Sequence, residues 1–241
     1  MAGHNKWSQI KHKKAKTDAQ RGKLFSKIAR EIMMAAKLGG EDTSMNPRLR
    51  LALQKAKEAN MPNDNVNRAI QKGIGGGDDT QLEELQFEAY GPNGIAILID
   101  TLTDNRNRTI SNLKAILNKG GANMAQKGAV SYLFETKGLI LFETSNQQEL
   151  IVDLAIEAGA SDVSVKQETI IEVITPITIL EELKQIYEKK ECMYETATMT
   201  KLPTTLVKVK EDDFEKIDKL LDAIQDDDDV QDVYTNLEII E

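Results

Sequence analysis

The side chains able to do chemistry are few in this sequence, and their spacing suits no known catalytic arrangement. His4 and His12 lie in a lysine-rich segment, Cys192 is the single cysteine, and no cysteine partners either histidine. A zinc site needs several such ligands at recurrent short spacings, so none is expected. No serine sits in an elbow motif, and Cys192 lacks a histidine partner because both histidines lie in the basic tail. Asp226-Asp227-Asp228-Asp229 could attract a divalent cation, but four consecutive acids lack the alternation of a calcium loop. The run reads as a solvated turn before the last strand. Gly75-Gly76-Gly77, followed by Asp78-Asp79, reads as a linker. A phosphate-cradling loop would need a preceding strand, and the acidic pair would repel its ligand. No enzyme activity, cofactor, metal or small-molecule substrate is expected.

The chemistry that remains is electrostatic. Between Met1 and Arg30 stand Lys6, Lys11, Lys13, Lys14, Lys16, Arg21, Lys23, Lys27 and Arg30, against the single acid Asp18. Trp7, the only tryptophan, sits beside Lys6. Lysines neutralise phosphates and release counterions, and an aromatic ring can stack on an unpaired base. Anchoring of the tail to a helical core is the alternative role for Trp7. Arg106 and Arg108 form a second basic spot at a predicted helix start, where cations oppose the helix dipole. Nucleic-acid contact or a local salt bridge to Asp104 would each explain that placement. These twelve residues are the candidate nucleic-acid-binding set. Phosphate contacts carry no base information, so such a set gives affinity more readily than sequence selectivity.

The whole-chain charge of −8 conceals this module. Residues 1–77 hold 16 Lys+Arg against 6 Asp+Glu, a balance of +10, whereas the remainder holds 15 against 33, a balance of −18. A basic module that touches a polyanion, joined to an acidic body that does not, fits this split. With 241 residues, 40% hydrophobic and 29% charged, the chain is long enough for two or three domains, each with a core. No apolar run is long enough to span a bilayer. A lone cysteine and the lack of an apolar leader point to a reducing, cytoplasmic compartment, with no membrane partner.

The elements that position these residues follow from periodicity. Thr17 and Gln20 form a capping-box pattern ahead of Leu24, Phe25, Ile28, Ile32 and Ala35, one helical face that ends at Gly39-Gly40. Asn46-Pro47 opens a second helix to about residue 59, and a third carries Val66, Ala69 and Ile70 to a stop at Gly73. Beyond the linker the period becomes two. Strands are expected at 85–90, 95–102 and 130–134, with a helix over 106–118 between the last two. A β-α-β-β-α-β series follows: strand 139–142, helix 147–158, strands 163–165 and 170–174, helix 177–188 and strand 193–200. The tail adds strands near 205–209 and 230–234 around a helix over 212–224. Since the first series lacks its closing elements, the tail returns to complete it. The expected fold is α+β, with an N-terminal helical domain at 1–77. Two ferredoxin-like domains follow it, a discontinuous one at 78–136 plus 203–241 and one inserted at 137–202.

Longer motifs carry a resemblance. Met1-Ala2-Gly3-His4-Asn5-Lys6-Trp7-Ser8-Gln9-Ile10-Lys11-His12-Lys13-Lys14, Tyr90-Gly91-Pro92-Asn93-Gly94 and Thr103-Asp104-Asn105-Arg106-Asn107-Arg108-Thr109 are among them. So are Gly120-Gly121, Gly128-Ala129-Val130 and Asp227-Asp228-Asp229-Val230-Gln231. Together they resemble the YebC/PmpR family, which includes the mitochondrial translational activator of cytochrome c oxidase. Ala129 stands where that family more often has serine. The resemblance spans the chain and implies three domains, the middle one discontinuous, in a bacterial cytoplasmic protein. Some members are described as transcriptional regulators that bind promoter DNA; others associate with the ribosome and ease synthesis through proline-rich stretches. Promoter DNA, ribosomal RNA and the ribosome are thus the implied partners. The residues show no helix-turn-helix signature with a base-reading helix, which weakens sequence-specific DNA reading. A protein-interaction adaptor would leave the +10 module unexplained.

Overall fold

The computed structural model describes residues 18–75, 82–143, 147–166 and 170–240. Helix α1 (Asp18–Gly39) is followed by α2 (Pro47–Glu58) and α3 (Asn63–Ile74). Their apolar faces meet in one core, with Ile32, Ala35, Leu49 and Ala52 fully buried and Ile28, Ala56, Met61 and Ala69 nearly so. Asn46 joins the first two helices. Its side-chain oxygen accepts from the Leu49 amide at 3.0 Å, capping α2. Its Nδ2 donates to the Ala35 and Gly40 carbonyls, both at 2.8 Å, and so satisfies the end of α1. Gly73 does not stop α3, which runs on to Ile74. It permits close packing instead: a Cβ there would lie 2.5 Å from the Met33 carbonyl oxygen of α1.

Strands β1 (Glu83–Tyr90) and β2 (Ala96–Thr103) form an antiparallel hairpin around Gly91–Gly94, where Asn93 and Gly94 take φ of 59° and 76°. Helix α4 (Arg106–Lys119) leads to a two-residue strand, β3 (Asn123–Met124), which pairs with β1. The chain returns to this sheet only with its last segment, β8 (Val207–Lys210), α7 (Glu211–Gln225), β9 (Val230–Thr235) and β10 (Leu237–Ile240). The sheet order is β3-β1-β2-β9, and β8 and β10 form a separate parallel pair. Helices α4 and α7 close the core over Ile97, Ile99, Leu113, Leu117, Ile217 and Ile224.

Between Ser131 and Val207 lies a second compact unit, residues 132–206; residues 18–131 and 207–240 belong to the first. The unit contains β4 (Phe134–Glu143), α5 (Gln148–Glu157), β5 (Asp162–Lys166), β6 (Ile170–Thr175), α6 (Ile177–Lys189) and β7 (Thr196–Pro203). Its strands stand in the order β7-β4-β6-β5, all antiparallel, which is the ferredoxin-like arrangement of a β-α-β-β-α-β chain. Phe142 and Tyr187 pack edge to face at 4.8 Å in its core, beside the buried Cys192. The fold is α+β throughout, with the helical domain first.

Other expectations need correction as well. Residues 130–134 are not a strand: Val130 lies in a bend, 131–133 form a 3-10 turn, and the strand begins at Phe134. The cause is Glu88, whose carboxylate accepts from the amides of Gly128 (2.6 Å), Val130 (2.6 Å) and Ser131 (2.9 Å). Amides turned onto one carboxylate cannot serve a ladder. The strand expected from Met193 begins at Thr196, and β3 and β10 were not expected at all. The four-acid run is not a simple solvated turn, as the site below makes plain.

Candidate nucleic-acid interface

Six of the candidate residues, Lys6, Trp7, Lys11, Lys13, Lys14 and Lys16, lie outside the described residues. The other six fall in two places: Arg21, Lys23, Lys27 and Arg30 on α1, Arg106 and Arg108 on the first turn of α4. Arg21 and Arg106 are exposed. The remaining four converge on residues 225–229, the segment that joins α7 to β9.

Lys23, Lys27 and Arg30 follow one another at intervals of four and three, so they share one face of α1. That face meets the C-terminal end of α7. The Lys23 ammonium donates to the Asp226 carbonyl at 3.2 Å and lies 3.4 Å from its carboxylate. Lys27 donates to the Gln225 carbonyl. Arg30 donates to the Asp228 carbonyl at 2.5 Å and to the Asp229 carboxylate at 3.1 Å. A helix C-terminus carries partial negative charge and unsatisfied carbonyls, and four acids there add to the repulsion. Three cations from another helix offset it.

Asp229 is the centre of this arrangement, only 2% exposed. Arg108 spans its carboxylate, with Nη2 2.8 Å from each oxygen, and donates from the same nitrogen to Asp104 at 2.7 Å. The Thr109 hydroxyl lies 2.8 Å and the Thr103 hydroxyl 3.2 Å from Asp229 Oδ2. The main chain is tied as well, because the Leu102 amide donates to the Asp229 carbonyl at 2.8 Å. Burial pushes the carboxyl of Asp229 up, but the Arg108 and Thr109 hydrogen bonds and the charges of Arg108 and Arg30 outweigh it and hold the group below its ordinary value. The same pairing raises Arg108 further above its usual range.

The motif Thr103–Thr109 therefore has a structural meaning. Asn105 caps α4, its side-chain oxygen accepting from the Arg108 amide at 3.0 Å, while Thr103, Arg108 and Thr109 hold one buried acid. Arg108 makes the Asp104 bridge that the sequence offered as one explanation, and a second bond to Asp229 that the sequence did not suggest. Among the described residues several other arginines also have partners within the chain. Arg48 meets Glu84, Arg50 donates to the Thr43 carbonyl at 2.6 Å, and Arg68 donates to the Asp64 carbonyl at 3.2 Å. No group of three or more His, Cys, Asp or Glu among the described residues is placed to hold a metal ion. No helix among them is long and apolar enough to cross a membrane.

Asp229 and Glu88 were missed as positioning residues. The signal for Asp229 was its place, the last of four acids and directly before the apolar Val230, hence at the buried edge of the turn. The signal for Glu88 was weaker: an acid in β1 between Phe87 and Ala89, on the side that alternation assigns to solvent.

Two family models match the chain. One, described as the TACO1/YebC protein N-terminal domain, matches residues 5–76; the other, described as the TACO1/YebC second and third domain, matches residues 82–237. A protein of Geotalea uraniireducens (strain Rf4) called "Probable transcriptional regulatory protein" is 48% identical over 241 residues, covering 100% of this chain and 97% of its own. "Probable transcriptional regulatory protein PM0980" of Pasteurella multocida (strain Pm70) is 48% identical over 239 residues, covering 99% of this chain and 97% of its own. The crystal structure of the conserved hypothetical protein Aq1575 from Aquifex aeolicus is similar in fold, with a TM-score of 0.83 at 44% identity over 94% of each chain.

Proposed function

We propose that this chain, which belongs to the TACO1/YebC family, regulates gene expression in the cytoplasm by binding nucleic acid through its basic N-terminal segment, without enzymatic chemistry. The observation that carries this reading is the charge segregation, +10 over residues 1–77 against −18 over the rest. The names of the relatives from Geotalea and Pasteurella support a transcriptional role, for which we take promoter DNA as the target. The division into domains at 1–77, 78–136 with 203–241, and 137–202 belongs to the same proposal. Lys6, Lys11, Lys13, Lys14, Lys16 and Arg21 are its principal phosphate contacts, with Trp7 and Arg106 as further contacts.

A second reading takes ribosomal RNA as the target and translation as the process. Its support is the state of the arginines: Arg30, Arg48, Arg50, Arg68 and Arg108 all have partners within the chain. Few forked cations remain for reading base edges, so the binder recognises backbone and shape. A salt titration with matched promoter and scrambled duplexes beside purified ribosomes tests both. Affinity should fall with a log–log slope of about 0.7–0.9 per phosphate contact. A duplex preference of about a thousandfold that survives physiological salt establishes the DNA reading. Equal duplex affinities with tighter ribosome binding establish the RNA one. No binding to any of the three at low salt refutes both.

A further inference from the structure

Three cations of α1 already have acceptors, and those acceptors are the carbonyls and two carboxylates of one short acidic segment. We infer that the turn 225–229 is an internal competitor for nucleic acid: Lys23, Lys27 and Arg30 hold either the turn or a phosphate backbone, and binding exchanges one for the other. This rests on the nucleic-acid reading above and adds a regulatory step to it.

The acceptors explain why the exchange is feasible. Most are neutral carbonyls, those of Gln225, Asp226 and Asp228. A phosphate oxygen carries charge, and charge-assisted hydrogen bonds are roughly twice as strong as neutral ones. The one carboxylate pair made by Lys23 has side chains 46% and 61% exposed, where ion pairs contribute little. The exchange also leaves the turn intact, because Asp229 keeps Arg108, Thr109 and Thr103 after Arg30 departs.

Repulsion explains why the two states exclude each other. Asp226 and Asp228 are exposed beside the same cations, so a phosphate laid over the closed contact would face their carboxylates. Nucleic acid must displace the turn, not cover it. Closed, the contact withholds three cations from weak or short polyanions; a long backbone engaging the N-terminal lysines first can open it.

The test joins the two sides covalently. Lys23→Cys and Asp226→Cys are placed in the full chain with Cys192→Ala, and a bismaleimide closes the pair. A 20-base-pair duplex and total ribosomal RNA are the probes, each at several salt concentrations. The closed protein should bind about tenfold or more weakly than the same variant left open, with a duplex slope smaller by about 1.8, two contacts at about 0.9 each. Equal affinity and slope in both forms overturn the inference. In the unmodified protein, carbodiimide should join Lys23 to Asp226, and the yield should fall as duplex saturates; a constant yield at saturation overturns it too. If the open variant and the unmodified protein bind neither probe at low salt, the nucleic-acid reading itself has failed.

Discussion

Replacing Glu88 by Gln tests whether one buried carboxylate shapes the segment from Gly128 to Ser131. The side chain is 3% exposed and accepts three amide hydrogen bonds, one on Oε1 and two on Oε2. Glutamine preserves the size and offers a single oxygen. Placed at the Oε2 position, that oxygen keeps Val130 and Ser131, but the new NH2 then faces the Gly128 amide, donor against donor. Hydrogen bonds to a charged group contribute about 1.5–3 kcal/mol each, against about 0.5–1.5 for neutral ones. One bond lost, at about 1.5–3 kcal/mol, and two weakened, at about 1–1.5 each, sum to about 3.5–6 kcal/mol. Burial pushes the Glu88 carboxyl up, yet the three amides and the Ser131 side chain outweigh it, so its folded value lies below the usual one. Stability from a depressed carboxyl is fully present above the unfolded value, near 4.3, and is lost as pH falls through the folded value. Urea unfolding of both proteins at pH 7, 5, 4 and 3 is the assay. The gap should be widest at pH 7 and close progressively below about pH 4.3. A gap under about 1 kcal/mol at pH 7, or one unchanged at pH 3, would refute the reasoning.

Asp229→Ala should destabilise by about 1–3 kcal/mol, since the buried Thr103 and Thr109 hydroxyls lose this acceptor while the half-exposed Arg108 keeps Asp104, and denaturant titration reads it directly. Unchanged unfolding would show that the cluster contributes nothing. Gly121→Val should lower stability by roughly 1–2 kcal/mol, because φ is +73° there and no neighbour limits the side chain; a thermal melt checks it, and an unchanged melting temperature with lost nucleic-acid binding would make the glycine a contact site. Gly73→Ala should separate α3 from α1, since its Cβ would meet Met33 main chain at 2.5 Å. The expected readout is lower melting and faster amide exchange in α1, and wild-type exchange would contradict the close packing. Alanine at any one of Lys6, Lys11, Lys13, Lys14 and Lys16 should reduce the salt slope by about one contact without altering relative affinities among sequences.

Much of the fold was legible because it is written locally. The helical periodicity from Leu24 to Ala35 and the Asn46-Pro47 start place α1 and α2 within a residue or two of their observed bounds. The β-α-β-β-α-β series fixes the inserted sheet, since that chain order has few ways to pair. The losses share one physical cause, which is distance along the chain. Residues 130–134 look like a strand until Glu88, forty residues earlier, collects their amides. Lys23, Lys27 and Arg30 look like a free basic face until residues about two hundred positions later meet them. Short elements fail for another reason: β3 has two residues, too few for any alternation to show.

The order in which the first compact unit is built has a kinetic consequence. Residues 132–206 leave the ribosome before the strand that finishes the earlier sheet. At about 5–20 residues per second, those 75 residues take roughly 4–15 s. For that interval β2 is an edge strand, with Ile97 and Ile99 unshielded by α7 and no β9 alongside. Meanwhile the ferredoxin-like segment, whose strands and helices are all contiguous, can complete itself. The nascent chain therefore carries one finished body downstream of one unfinished sheet, and the sheet's exposed hydrogen-bonding edge is where chaperone capture or misassociation of newly made protein would concentrate.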